Sequence, residues 1–491
     1  MMDIKLSIKT SSLPMVFMCC LVILGYSFTG FAQNDQKQPN IILINVDDLG
    51  WTDLACYGSR YYETPNIDKL AAEGMLFTNA YAAAAVCSPT RSAIMTGKAP
   101  ARTGITDWIR ARFQGGTIPA DKTYTLEYVG DSTNRLLTPA NPLWMELEEV
   151  TIAERLQRKG YATAHIGKWH LGTEDWYPEE QGFDKNIGGC DYGQPPSYFD
   201  PYYNSERMPG IPTLPPRKEG EYLEDRLADE AVSFIKAHQN QPFFMYMCNY
   251  AVHTPIQGRP DLVAKYEQKD TTNQKSPDYA AMVESVDLSV GKMMQTLKDL
   301  GKDENTLIIF TSDNGGLEVE IATDNDPLRS GKGYPYEGGI RVPMIVRWAG
   351  QISAGSQNET PVISHDLYPT ICEIAGLEVP KPELIDGVSL VPVLLKKQKL
   401  DRKTLYWHFP HYRQKDIVPY SIIRDGDWKL IKRYEGTTYE LYNLANDLSE
   451  REDLSQTKIK KVRELDQKLL KWLEKVDARM PKQNPRYVSM E

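Results

Sequence analysis

The chain alternates short unbroken apolar runs with segments of helical period. In PNIILINVDDLG, Ile41 to Val46 is a continuous apolar run that ends in two acids and a glycine. Runs of this kind suit strands buried on both faces of a parallel sheet. In TPNIDKLAAEGMLFTNAY, Thr64 or Asn66 can cap a helix that ends at Gly74, and Met75 to Tyr81 reads as a strand. TIAERLQRKGYATAHIGKWHLG repeats the theme, with a helix to Lys159, a stop at Gly160 and a strand from Ala162 to Ile166. PFFMYMCNY, TLIIFTSDNGG and PMIVRWAG supply further apolar strands. Strands alternating with helices predict an α/β fold with parallel strands, in which ligands bind beyond the C-terminal strand ends. Asp47-Asp48, Lys168 with His170, His253 and Asp313-Asn314 all fall there.

The pattern then changes. Residues 195–222 are rich in Pro, Tyr and Gly and read as a long irregular insertion walling the site. A second break, 377–399, carries Pro380, Pro382 and several lysines. Beyond it, YSIIRDGDWKLIKRY and TTYELYNL predict antiparallel strands with turns at Asp425-Gly426 and Glu435-Gly436, and 458–477 predicts an amphipathic helix. The expected organisation is a large domain over 33–376 and a smaller α+β domain over 377–491. Residues 1–32 read as a signal peptide: Lys5 and Lys9 precede an apolar stretch, and Gly30-Phe31-Ala32 offers a small-residue cleavage site. Export to the periplasm or the medium follows from that pattern.

Composition narrows the picture. A chain of 491 residues, 41% hydrophobic and 25% charged, has ample length for a large core. A formal net charge of −10 argues against a nucleic-acid partner, although a local basic pocket can still attract an anion. Once the leader is removed, Cys56, Cys87, Cys190, Cys248 and Cys372 remain. With an odd number, one thiol has no internal partner; the others pair or stay buried, and no CxxC metal motif is present.

Asp47, Asp48, Asp313 and Asn314 are hard oxygen donors suited to Ca²⁺ or Mg²⁺, with no adjacent His or Cys set that would favour zinc. Either pair alone is also turn chemistry. In GKWHLG, Lys168 and His170 can project on one side of an extended segment, or be a surface lysine and a histidine packed beside Trp169. His253 follows a strand, and Lys332 lies in the glycine-rich SGKGYPYEGG, which lacks the spacing of a Walker loop.

A further segment carries its own signal. Cys87-x-Pro-x-Arg, followed by Ser92 and Thr96-Gly97, resembles the signature of the type I sulfatases. VDDLGW, GKWHLG, HTP, SDNGG and GKG resemble motifs of the same family in the same order, over roughly residues 39–349, and IRDGDWKLI with YELYNL resembles its small terminal domain. The resemblance implies an alkaline-phosphatase-like large mixed sheet sandwiched by helices, with a C-terminal α+β part carrying a four-stranded antiparallel sheet. It also implies a formylglycine-generating maturation enzyme that oxidises Cys87, and one Ca²⁺ held by Asp47, Asp48, Asp313, Asn314 and the modified residue 87. Arg91 would orient the formylglycine, Lys168 and Lys332 would bind sulfate oxygens, His253 would protonate the leaving oxygen and His170 would act as base. Helix capping fits this: Ser88 and Pro89 suit a first turn, which puts residue 87 at the positive end of a helix.

The expected reaction is exo-hydrolysis of carbohydrate sulfates, with galactose or N-acetylgalactosamine preferred and O4 as the position. Trp108, Arg110, Trp176 and His408 are candidates for a sugar subsite, or for packing. The rival readings are a phospho- or phosphonate-monoester hydrolase on the same scaffold, and a silent carbohydrate-binding relative should Cys87 stay a thiol.

Overall fold

In the computed structural model, residues 38–488 are described, except 117, 120, 124–126, 319–321 and 414–415. The leader expected over 1–32 lies outside the described residues.

Eight strands form the main sheet: β1 (Asn40–Val46), β2 (Met75–Phe77), β3 (Ala162–Gly167), β4 (Lys185–Ile187), β5 (Phe243–Cys248), β6 (Thr306–Ser312), β7 (Met344–Trp348) and β8 (Ser356–Asn358). Their order is β8-β2-β7-β6-β1-β5-β3-β4. The central strands β6, β1, β5, β3 and β4 run parallel, and β7 runs antiparallel to both β6 and β2. The sheet is therefore mixed, whereas periodicity alone predicted parallel strands. The direction of β7 is set by its connection and not by its apolar pattern. All seven residues of β1 are buried, as a strand covered on both faces requires.

The expected strand from Met75 to Tyr81 is two pieces. The chain leaves the main sheet after Phe77, and Ala80–Tyr81 pairs instead with Val362–Ile363. Helices flank the sheet: α1 (Pro65–Ala72), α2 (Cys87–Thr96), α3 (Ile152–Arg158), α4 (Leu223–Ala237) and α5 (Pro277–Asp299). A capping box starts α3, with Thr151 accepting from the Glu154 amide and Glu154 from the Thr151 amide.

Register brings the site together. Asn45 and Gly167 both lie level with Cys248, and Val46 lies level with Ser312. The segments that follow β1, β3, β5 and β6 thus leave the sheet at one edge. Gly167 turns there at φ +98°, and a Cβ at this residue would fall 1.9 Å from the Cys248 carbonyl oxygen.

The C-terminal region forms a four-stranded antiparallel sheet, β9 (Thr404–Phe409), β10 (Tyr420–Asp425), β11 (Trp428–Arg433) and β12 (Thr438–Asn443), with α6 (Ile459–Lys475) across it. Alternation divides the strands between two cores. Ile422 and Ile431 face the rest of the molecule, where they cluster with Val86 and Ile340. Ile423 and Leu430 face α6 and meet Leu465, Leu469 and Leu473. From Gln38 onward the chain is one compact unit.

Candidate active site

Helix α2 begins at Cys87. Val86 before it is extended and provides no side-chain cap, so the first amides of the helix point toward residue 87 unsatisfied by a capping side chain. All ten residues of α2 are buried, and Cys87 is only 3% exposed. Burial pushes its thiol up to about 12, although Lys168 and Lys332 pull the other way. An unmodified Cys87 is therefore a neutral thiol at physiological pH and a poor nucleophile.

Around it, three carboxylates face three cations, none more than 7% exposed. Lys168 Nζ donates to Asp47 Oδ2 at 2.6 Å, and Lys332 Nζ reaches both Asp48 oxygens at 2.7 Å. Arg91, four residues along α2 from Cys87, donates through Nε to Asp313 Oδ2 at 2.8 Å and through Nη1 to the Lys168 carbonyl at 2.6 Å. Its contacts brace Asp313 and the Lys168 segment. Burial pushes Asp47 up to about 8 against the pull of Lys168, with the Asp313 and Asp48 charges adding to the rise. Burial pushes Asp48 the same way, but Lys332, His253 and Lys168 hold it well below the carboxylate range.

Donor atoms of Asp47, Asp48, Cys87 and His253 lie within 4.8 Å of one another. The cysteine sulfur is 3.6 Å from Asp47 Oδ1, and His253 Nε2 is 3.6 Å from Asp48 Oδ2. Of the two expected ligands at the end of β6, Asp313 turns one oxygen to Arg91 and the other to the Asp48 amide at 3.2 Å. Asn314 donates to Asp48 Oδ1 at 2.7 Å, while its own Oδ1 is buried without a partner. A buried orphan acceptor beside clustered carboxylates fits a hard divalent cation, so the residues present match the expected group. Asp48 itself sits at φ +60° and His170 at φ +61°, a left-handed geometry uncommon outside glycine and frequent at functional sites.

The two histidines differ in proton inventory. His170 Nε2 lies 2.8 Å from the Ile109 carbonyl, which only accepts, so Nε2 carries the proton. Its Nδ1 is a buried lone pair with no partner. Burial, with Lys168 and Arg91 beside it, holds this imidazole far below its usual pKa. A free lone pair is what a base requires. His253 Nδ1 faces the Thr254 carbonyl at 2.9 Å, which leaves the lone pair on Nε2 toward Asp48. Burial and Lys332 pull it down to about 3. Without a further negative charge beside it, His253 is therefore neutral at physiological pH. Lys332 is pulled down by burial, but Asp48, Cys87 and Asp47 hold it well above its usual value.

The expectation that Lys168 and His170 project together from an extended segment needs correcting. Residue 170 is left-handed, so Lys168 reaches Asp47 while His170 turns to Ile109. Ser88 joins the same region: its hydroxyl donates to the His170 carbonyl at 3.0 Å and accepts from the Ile109 amide at 3.0 Å. Nothing in the pattern around Ser88 marks it for this role.

The sugar-subsite candidates separate. Trp176 is buried and stacks on Trp144 at 4.3 Å, and its carbonyl accepts from Trp169. His408 is buried between the Ser421 hydroxyl and the Arg479 carbonyl. Both are packing residues. Trp108 is half-buried and Arg110 exposed, and they line a cavity of ≈ 420 Å³. Among the described residues Cys56, Cys87, Cys190, Cys248 and Cys372 are free thiols, with no disulfide between them.

Comparison with known proteins agrees with this geometry. The family model described as Sulfatase matches residues 39–377, and that described as N-sulphoglucosamine sulphohydrolase, C-terminal, matches 331–479. A protein named Sulfatase from Formosa agariphila is 35% identical, over 90% of this chain and 90% of its own length. Human N-acetylgalactosamine-6-sulfatase is 34% identical, over 77% of this chain and 69% of its own. Among solved structures, Ps i-CgsB superposes with a TM-score of 0.74 at 30% identity, covering 92% of this chain and 95% of its own; a complex of it with k-i-k-neocarrahexaose is also known.

Proposed function

The chain belongs to the sulfatase family and is a sulfuric ester hydrolase, and on that premise we propose that it removes sulfate from galactose-configured sugars through an oxidised Cys87 and a bound Ca²⁺. The observation that carries this reading is the sealed set of three carboxylates and three cations around residue 87. The names of the mammalian relatives favour a 6-sulfate on N-acetylgalactosamine; galactose, and the O4 ester expected from the family resemblance, are the further cases to test.

A sulfate ester needs a nucleophile at sulfur, charge to hold its oxygens and a proton for the leaving oxygen. Oxidised to an aldehyde and hydrated, residue 87 supplies one hydroxyl for attack and a second whose deprotonation expels sulfate. Asp47, Asp48, Asp313 and Asn314 would hold a divalent cation, which would supply charge for the sulfate oxygens and lower the hydroxyl's pKa. The other parts belong to side chains already in place. Lys168, paired with Asp47, and Lys332, paired with Asp48, offer ammonium groups to the sulfate oxygens. His170 Nδ1 offers the lone pair that takes a proton when sulfate departs. His253, protonated once the anionic ester lies beside it, returns a proton to the sugar oxygen. Arg91 holds the Lys168 segment and Asp313 in register with the start of α2.

The test is sulfate release from a panel of 4- and 6-sulfated galactose and N-acetylgalactosamine, glucosamine sulfates and matched phosphate monoesters. Turnover of a galactose-configured sulfate supports the reading; turnover of the phosphate esters alone, or of glucosamine sulfates alone, defeats it. We also propose export, on the leader pattern of residues 1–32, to be checked by N-terminal sequencing of protein recovered outside the cytoplasm.

A further inference from the structure

The inner face of the C-terminal sheet carries charges where alternation calls for apolar residues. Arg424, Lys429 and Tyr442 stand side by side on β10, β11 and β12, on the face that Ile422 and Ile431 turn toward the rest of the molecule. The Lys429 side chain is completely buried. An ammonium group stays charged in such a place only where carboxylates offset its lost hydration.

Glu337 and Glu450, both completely buried, supply them. Lys429 Nζ lies 3.0 Å from Glu337 Oε1 and 2.7 Å from Glu450 Oε1. Glu450 Oε2 accepts from the Glu337 amide at 2.6 Å, so the two acids are also joined through the backbone. The second Glu337 oxygen accepts from the Tyr81 hydroxyl at 2.7 Å, with Arg341 3.3 Å away, and Arg424 donates to the same hydroxyl. Burial pushes Glu450 up to about 7 against the pull of Lys429, and the Glu337 charge adds to the rise. The shared ammonium group is what allows two neighbouring carboxylates to lie in one dry space.

Glu337 ends the glycine-rich loop that carries Lys332, and Arg329 begins it. The Arg329 guanidinium lies 3.7 Å from the centre of the Tyr336 ring and donates to the Tyr442 hydroxyl at 3.0 Å and the Glu450 carbonyl at 2.9 Å. The Gly338 amide joins the two ends by donating to the Arg329 carbonyl at 3.0 Å. A Cβ at Gly338 would fall 1.8 Å from the Ser330 carbonyl oxygen, so this closure needs glycine. Within the loop, the Lys332 amide donates to the Gly316 carbonyl at 3.0 Å and the Gly333 amide to the Ala85 carbonyl at 2.8 Å. Lys332 Nζ meets Asp48 at 2.7 Å. Both ends of the loop thus rest on the C-terminal part, and its tip holds an ammonium group in the site.

We propose that Lys429 and Glu450 are positioning residues that act through Lys332: the C-terminal sheet grips the ends of its loop and so sets where that ammonium group stands. This rests on the assignment of Lys332 to the sulfate oxygens above. Neither Lys429 nor Glu450 touches the substrate. They make the small C-terminal part a working component of the site, although none of its residues enters the cluster around residue 87.

The variants are Lys429→Met, Glu450→Gln, the double Lys429→Met/Glu450→Gln, which removes one charge of each sign, and Arg329→Met at the half-buried end of the loop. Each is assayed well below its own melting temperature, alone and combined with Lys332→Ala, on 4-nitrophenyl sulfate, whose good leaving group keeps weak activity measurable. The readouts are kcat/KM and the inhibition constant of inorganic sulfate. Lys429→Met should lower kcat/KM roughly 10- to 100-fold, as a displacement of about 1 Å in a positioned group does, and should weaken sulfate inhibition with it. The double variant should return to within about fivefold of the wild type, because no uncompensated buried charge remains and an amide oxygen still accepts from the Glu337 amide. In the Lys332→Ala background, Lys429→Met should cost under about threefold more, because the group it places is gone. Wild-type kcat/KM and sulfate inhibition in Lys429→Met and Arg329→Met overturn the proposal. An equal loss with and without Lys332 also overturns it, since Lys429 then supports the fold in general. Should Lys429→Met fail to fold, Glu450→Gln and Arg329→Met carry the same comparisons. A loss in Lys332→Ala with none in the other variants removes the positioning role and leaves the sulfate reading standing; wild-type behaviour of Lys332→Ala itself overturns both.

Discussion

Replacing Arg91 with alanine tests whether the site is an electrostatic unit. Arg91 is 1% exposed and spends its guanidinium on Asp313 and the Lys168 carbonyl. Removing one partner of a buried, hydrogen-bonded pair costs about 3–5 kcal/mol, because the remaining charge has no water to turn to. With about 2 cal/mol/K of unfolding entropy per residue, a chain of 491 residues converts that into about 3–5 °C of Tm. Asp313 gives the effect a pH signature. Burial pushes its carboxyl up, but Arg91 and Lys168 hold it below the usual range. In the wild type its contribution is therefore present above the ordinary carboxylate pKa and is lost as pH falls through the lowered value. In Arg91→Ala the burial effect dominates, the folded state binds a proton the unfolded state releases, and stability recovers as pH falls from neutral to about 5. Thermal and urea unfolding of Arg91→Ala, Asp313→Asn and the double variant measure this. The double variant should be more stable than the sum of single losses predicts, by more than about 1 kcal/mol. Additivity within about 0.5 kcal/mol, or a deficit that does not shrink on acidification, refutes the account.

Cys87→Ala should abolish sulfate release while leaving the melting temperature within a few degrees, and mass spectrometry of the wild-type peptide spanning residue 87 should show the thiol replaced by a carbonyl oxygen. Calcium should raise Tm by an amount that grows as pH rises toward about 8: Asp47 binds a proton more tightly folded than unfolded, that contribution fades as pH rises through its raised pKa, and the cation needs the ionised carboxylate. Chelation titrated by calorimetry at several pH values checks it, and an increment independent of pH counts against Asp47 as a ligand. Gly167→Ala should destabilise by at least about 2 kcal/mol, since it combines a positive φ with a Cβ 1.9 Å from the Cys248 oxygen; wild-type stability in urea would show that the close approach relaxes freely.

The central strands were legible because each is an apolar run closed by polar residues. Those of β1, β3, β5 and β6 place Asp47, Lys168, His253 and Asp313 at one edge, as alternation predicted. Direction was not legible: the antiparallel course of β7 is set by the path of its connection, and MIVRW reads the same either way. The break after Phe77 is a pairing choice with Val362–Ile363, nearly 300 residues away, and no local window contains it. Within the site, residue types were visible but partners were not. His170 and Lys168 diverge because residue 170 is left-handed, a backbone state that no side-chain pattern shows. Trp176 and His408 carried sugar-binding chemistry in type, yet their burial makes them structural. Lys429 had the opposite fate, appearing as an ordinary strand residue until the fold set it between Glu337 and Glu450.

If Cys87 is oxidised as proposed, its depth would constrain when that can occur. At 3% exposure, inside a helix with no exposed residue, the thiol is closed to any protein-sized catalyst once the chain has folded. The window is the interval in which the segment around 87 is still extended and unpaired. On that proposal, folding and maturation would compete for the same stretch of chain, and a molecule that closed early would be locked as a thiol. The yield of working enzyme from a host would follow the relative speed of those two events, so slowing translation or folding should raise the active fraction without changing the amount of protein made.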